Sequence, residues 1–209
     1  MKKLIVPVIA ILSILTFSCK KDKENIVPTP KADYYQLKIG NYWVYREFDV
    51  DTNGVTTIKD RWDSAFIEKD TLIRGYKYFK LWYRYFMDNP TQTAEFLRDS
   101  SGYLVNSVGG IWCSDNNFTD ILWADTIGVT LAKKIMKMTG KDSIVTVPAG
   151  TFQSITLRGA VIPINPLDTH PTRYFYNIFG KGVGRLESTS FFYSDGLQIQ
   201  ARLVRYRVN

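Results

Sequence analysis

The amino-acid sequence predicts an all-β fold, a curved antiparallel sheet of half-barrel or barrel-like form. Short runs rich in aromatic and β-branched residues follow one another along most of the chain. Turn dipeptides separate them at short spacing, and no helical segments alternate with them, which excludes a parallel βαβ architecture. The chain has 209 residues, 45% hydrophobic, 22% charged and 14% aromatic, the balance of a globular protein. Two cysteines exclude a disulfide-stapled scaffold, and a single histidine excludes a multi-histidine metal site.

The elements follow in order. Residues 41–50 are aromatic and β-branched, and Asp51-Thr52-Asn53-Gly54 turns them into residues 55–62. Residues 64–69 lead through Arg74-Gly75 into residues 76–87, the most aromatic stretch of the chain. Residues 94–98 turn at Asp99-Ser100-Ser101-Gly102 into residues 103–107. Residues 116–137 are the only stretch that could hold helix, and their threonines and glycine restrict it to short pieces. Strands over residues 143–147 and 152–161 flank a Pro-Ala-Gly turn, and residues 173–179, 185–192 and 197–208 close the chain. The last two are joined by Ser194-Asp195-Gly196, for a total of about ten strands in one domain.

The alternation of the last strand breaks once. Leu197, Ile199, Ala201 and Leu203 lie on one face, and beyond Leu203 the apolar phase moves to Val204, Tyr206 and Val208. An unbroken strand would turn Arg205 and Arg207 into the core, where an unpaired charge costs several kcal/mol. One extra residue restores the alternation, so a β-bulge is expected at about Leu203–Val204.

The N-terminus carries a different signal. Lys2-Lys3 precede an apolar stretch over residues 4–17, too short for a bilayer span of about 20 residues. It has the basic and apolar regions of a secretory signal. Leu15-Thr16-Phe17-Ser18-Cys19 resembles a relaxed bacterial lipobox, which implies diacylation of Cys19 and removal of residues 1–18. Lys20-Lys21-Asp22-Lys23-Glu24 resembles the charged export tract of Bacteroidetes surface lipoproteins, and a solvated spacer is the alternative. Residues 19–33 then form a lipidated cysteine and polar tether, and residues 34–209 a single β domain. The implied location is the cell envelope, lipid-anchored at the outer membrane and facing the periplasm or the surface.

Three short motifs extend the resemblance. Gly40-Asn41-Tyr42-Trp43-Val44-Tyr45, Val147-Pro148-Ala149-Gly150-Thr151-Phe152 and Gly180-Lys181-Gly182-Val183-Gly184 occur in the order found in the TapB-like domain of bacterial lipoproteins. That resemblance implies an all-β half-barrel of no established activity, and it supplies no catalytic residues.

Candidate chemistry is sparse. Asp49, Asp51, Asn53, Gly54 and Asp60 sit at positions 1, 3, 5, 6 and 12 of a calcium-loop pattern. Position 12 lacks the bidentate glutamate and the flanks read as strands, so a hairpin without metal is expected. Gly180, Gly182 and Gly184 lack the spacing of a phosphate loop and suit tight turns. His170, beside Asp168 and between prolines, has no nucleophile elbow near it and reads as a loop histidine. Cys113 has no basic neighbours in sequence and reads as a buried structural thiol.

Aromatics are the remaining signal. In residues 76–87, Phe79, Leu81, Tyr83, Tyr85 and Met87 form the core face. Tyr76, Tyr78, Lys80, Trp82, Arg84 and Phe86 form the other. Tyr76, Tyr78, Trp82 and Arg84 are the candidate ligand-binding residues on that second face, while burial of part of both faces by a curved sheet is the plainer reading. The basic residues form no dense cluster, which argues against nucleic acid. With no paired carboxylates in a recognisable setting, no catalytic residue, cofactor or metal site is expected. The function expected is a non-enzymatic outer-membrane lipoprotein, anchored to the membrane through Cys19, binding an apolar or glycan ligand or an envelope partner. A structural component of an envelope complex is the alternative.

Overall fold

The computed structural model describes residues 33–85, 91–128, 131–191 and 196–209, and Ala32–Asn209 form one compact unit. Cys19, Phe86, Met87 and the Ser194-Asp195 part of the last turn lie outside the described residues. The described residues form twelve strands and no helix. These are β1 (Tyr42–Val50), β2 (Thr56–Ile73), β3 (Tyr76–Tyr85), β4 (Thr91–Ser100), β5 (Tyr103–Asn106) and β6 (Ile111–Ser114). The second half comprises β7 (Ile121–Ile127), β8 (Ala132–Val147), β9 (Gly150–Pro163), β10 (Arg173–Gly180), β11 (Gly184–Phe191) and β12 (Gln198–Arg207).

All pair antiparallel in one sheet ordered β6-β5-β4-β3-β2-β1-β12-β11-β10-β9-β8-β7. Each strand pairs with the next in sequence except β6 with β7, and β1 pairs with β12. The free edges are therefore β6 and β7 in the middle of the chain rather than its ends. β6 approaches β7 and β8, so the sheet curls into a nearly closed barrel. Such curling hides the backbone edges that an open sheet would expose.

Residues 116–137 correct the expectation of short helical pieces. They hold β7 and the first part of β8, paired residue for residue from Ala124↔Ile135 to Ile127↔Ala132. Alternation explains the difference: Lys134, Met136 and Met138 share one face, with Met136 and Met138 buried, and Lys133, Ile135 and Lys137 share the other. Tertiary packing of that face outweighs weak local propensity.

The final strand carries its bulge. Tyr45 pairs with Leu203 and Val44 with Arg205, so Val204 is the extra residue. Leu203 is fully buried, and Arg205 and Arg207 are exposed. The Leu203 carbonyl accepts a hydrogen bond from Ala149 N at 3.0 Å, which docks the β8–β9 turn on β12. The Asn53-Gly54 turn closes a hairpin, with Val50 opposite Thr56. Asp51 Oδ1 accepts from Asn53 N at 2.9 Å and from Val55 N at 2.8 Å, and Asp49 pairs with Lys59. Both carboxylates are thus occupied within the hairpin.

Residues 33–41 plug one end of the barrel. Tyr35 Oη donates to the Gly102 carbonyl at 2.8 Å, Gly182 N donates to the Asp33 carbonyl at 2.8 Å, and Gly40 N donates to the Ile67 carbonyl at 3.0 Å. The segment therefore ties together β2 and two turns from opposite halves of the sheet. Trp43, buried beneath it, donates from Nε1 to the Val183 carbonyl at 2.6 Å. A Cβ at Gly184 would stand 3.0 Å from that indole, so glycine lets the β10–β11 turn close over it. Gly182 and Gly184 both have positive φ, in keeping with tight-turn use.

Candidate functional site

The plugged end is filled. Tyr35, Trp43, Tyr45, Leu81, Tyr83 and Phe179 surround a residual cavity of about 40 Å³. A single water needs about 10–15 Å³ measured this way, so the space admits only a few waters. Arg185 reaches into it, its guanidinium carbon 5.0 Å from the ring centroids of Tyr45 and of Tyr83. Stacking between π faces compensates a charge that arginine cannot shed. Burial raises the Tyr45 and Tyr83 hydroxyls above the ordinary tyrosine range, with Arg185 opposing the rise, and Tyr45 Oη donates to the Arg185 carbonyl at 3.1 Å.

Further along the same strands the interior opens. Phe175, Asn177 and Phe179 share one face of β10. Phe179 packs edge-on against Tyr35 in the plug, while Phe175 lines a groove of about 370 Å³. Ile127, Leu131, Val161 and Phe191 supply the rest of its apolar lining, and Asn177 faces both the groove and the small cavity. The volume falls at the lower end of the 300–1,000 Å³ range of small-molecule sites.

Among the described residues, one cation lines this groove. Lys134 on β8 lies half-buried, its ammonium 4.9 Å from the Phe175 ring centroid and 5.1 Å from that of Trp123. Burial lowers its pKa below the ordinary lysine value, and Asp125, directly opposite on β7, opposes the fall. Such a site is apolar along most of its length with one desolvated positive group. It suits an apolar molecule bearing a single acidic group, since the acid would pair with Lys134 where little water competes.

Phe175 is held by its neighbour across the sheet. Phe175 pairs with Gly159, and a Cβ at Gly159 would stand 1.9 Å from Phe175 Cζ. The ring thus lies flat over a residue that must lack a side chain, which covers the exposed backbone and sets the groove wall.

Sequence reasoning missed Lys134 because residues 116–137 admit short helical pieces by sequence, and a strand face cannot be assigned to a helix. The groove also draws on β7 to β11, elements that no local pattern connects. The period of two in Lys134, Met136 and Met138 is the signal that could have placed Lys134 inside.

The sequence-derived candidates lie elsewhere. Leu81 and Tyr83 are buried and Phe79 and Tyr85 half-buried, as the alternation implies. On the opposite face Tyr76 is 58% exposed, Arg84 is exposed, Trp82 is half-buried and Tyr78 is buried at 6%. The rings already face protein cations. Arg98 lies 4.5 Å from the Tyr76 centroid and donates from Nε to Tyr78 Oη at 3.1 Å. Lys80 lies 4.2 Å from Trp82, whose Nε1 donates to Glu68 Oε2 at 2.8 Å. Tyr76, Tyr78, Trp82 and Arg84 thus share a face on which Tyr76 and Arg84 are exposed, Trp82 is half-buried and Tyr78 is buried.

His170 is an exposed loop residue with Nδ1 2.6 Å from Asp168 Oδ1. Cys113 is fully buried, and burial pushes its thiol far above the ordinary range, away from the nucleophilic thiolate.

No protein family and no curated protein matches the chain. Among solved structures, it is similar to a candidate exported protein with a YmcC-like fold from Bacteroides fragilis NCTC 9343. The identity is 13% and the TM-score 0.53, over 84% of this chain and 99% of that one. A candidate lipoprotein from Parabacteroides distasonis ATCC 8503 aligns at 15% identity and a TM-score of 0.48, over 84% and 99%. The Bacteroides fragilis likeness is one of fold: an all-antiparallel barrel-like sheet shared at low identity.

Proposed function

We propose that the chain is a non-enzymatic, lipid-anchored envelope protein whose barrel holds an apolar acid, of the fatty-acid class, in the groove between β7 and β11. The observation that carries this reading is Lys134, a half-buried ammonium within reach of two aromatic rings in a groove whose other lining is five apolar residues with Asn177, Thr189 and Ser190. Anchoring through Cys19 after loss of residues 1–18, a tether over residues 19–33 and an outer-membrane location complete the proposal. They rest on the lipobox-like run and the charged tract behind it.

Kinship with TapB-like domains belongs to the same proposal. Trp43 of its first motif bonds to Val183 of its third, and Ala149 of its second docks on Leu203 of β12, which favours a role in closing the barrel over one in holding a ligand. The groove also favours a bound small molecule over a purely structural role, which would need no such cavity.

Native mass spectrometry of the full chain purified from its envelope tests the reading. A co-purifying apolar acid, diminished in Lys134→Gln, supports it. Ligand-free protein from delipidated and fatty-acid-supplemented preparations alike would overturn it.

A further inference from the structure

A second groove of about 370 Å³ lies on the outer side of the sheet, across β7 to β10. Its distinguishing feature is a pair of cations. Lys137 on β8 and Arg158 on β9 are directly opposite in the register, both half-buried and both lining the groove. Like charges facing each other across a ladder are destabilising. The pair of strands could have avoided this with one acidic residue. Instead the flanking positions are apolar: Ile121, Ile135 and Ile162 line the same groove, with Ile121 57% exposed and Tyr174 40% exposed. The Arg158 guanidinium carbon lies 5.1 Å from the Tyr174 ring centroid, a cation–π contact that uses none of the fork's hydrogen-bond donors.

We propose that this groove seats the phosphate of an anionic phospholipid headgroup. A guanidinium and an ammonium side by side match a phosphate, which accepts bidentately from arginine and as a point charge from lysine. It also relieves the repulsion between them. Exposed Ile121, with half-buried Ile135 and Ile162, distinguishes a lipid from free phosphate: these side chains bury against the glycerol and the first methylenes of an acyl chain, contacts that inorganic phosphate cannot make. This groove lies on the outer face, apart from the one that holds Lys134, so the inference stands whether or not that interior groove binds an acid.

The test uses the full chain reconstituted in vesicles, with thermal unfolding followed by tryptophan fluorescence. The arms are phosphatidylcholine alone, phosphatidylcholine with phosphatidylglycerol, and phosphatidylcholine with added inorganic phosphate. A ligand that binds only the folded state raises the unfolding midpoint. The midpoint rises with phosphatidylglycerol and much less with inorganic phosphate. The rise disappears in Lys137→Gln/Arg158→Gln, whose midpoint in phosphatidylcholine is no lower than wild type because the repulsion is gone. Arg158→Lys, which keeps the charge and loses the fork, retains part of the rise. Lys38→Gln/Lys181→Gln, which removes two exposed charges elsewhere, retains all of it. An equal rise with inorganic phosphate would overturn the headgroup assignment. Absence of a rise, or its equal loss in the Lys38/Lys181 variant, would overturn the site.

Discussion

Replacing Gly159 by alanine probes the wall of the interior groove. The added Cβ would stand 1.9 Å, 2.1 Å and 2.6 Å from three carbons of the Phe175 ring, where ordinary contact begins near 3.4 Å. The nearest carbon must therefore retreat by about 1.5 Å, more than close packing absorbs without displacement. Overpacking of this kind costs about 1–3 kcal/mol, which lowers the melting midpoint of a domain this size by about 2–12 °C. The ring cannot move without disturbing its contacts with Lys134 and Phe191, so fatty-acid binding weakens together with stability. Thermal unfolding and fluorescence titration with a fatty acid read the two effects. Phe175→Leu removes the ring, so Gly159→Ala in that background loses most of its penalty and the two substitutions are non-additive. Additive effects, or an alanine variant with wild-type midpoint and affinity, would refute this placement of Phe175.

Three further outcomes follow from the same structure. Trp43→Phe leaves the Val183 carbonyl without its 2.6 Å partner at the plugged end and costs about 1–3 kcal/mol in urea unfolding; an unchanged midpoint would contradict the clamp. Asp51→Ala removes the acceptor of two turn amides and destabilises the hairpin by about 1 kcal/mol, while added Ca²⁺ leaves the wild-type midpoint unchanged; a Ca²⁺-dependent midpoint would restore the metal-loop reading. Burial raises the Glu47 carboxyl above its ordinary value, with Asp63 adding to the rise and Arg61 opposing it. The folded state then holds that proton more tightly than the unfolded state, so the group's contribution to stability falls as pH rises from the ordinary carboxylate range through the raised value. Glu47→Gln is therefore more stable than wild type at about pH 7.5, and the advantage fades at about pH 4; urea midpoints that differ equally at both would refute the assignment.

Much of the fold was legible because strand period and turn chemistry are local. Arg205 and Arg207 could not both face the core, and that alone located the bulge at Val204. Asn53-Gly54 identified the first hairpin, and the alternation around Leu81 and Tyr83 separated the inner from the outer face. Other features depend on partners distant in sequence. Tyr78 is buried on the outer face because Arg98, twenty residues away, lies over it. The short helical pieces that residues 116–137 could have held do not form, because β7 and β8 are stabilised by each other and by β9. The groove was invisible for the same reason: its lining comes from strands that only the closing of the sheet brings together.

Photo-crosslinking of a diazirine-bearing fatty acid to the full chain, with the labelled peptides mapped by mass spectrometry, tests the interior site most directly. Label concentrated on Val161, Phe175 and Phe191 in β9 to β11, competed by unlabelled fatty acid and lost in Lys134→Gln, is the outcome expected. Label on the outer face around Tyr76 and Trp82, or scattered label that competitor does not reduce, would contradict it.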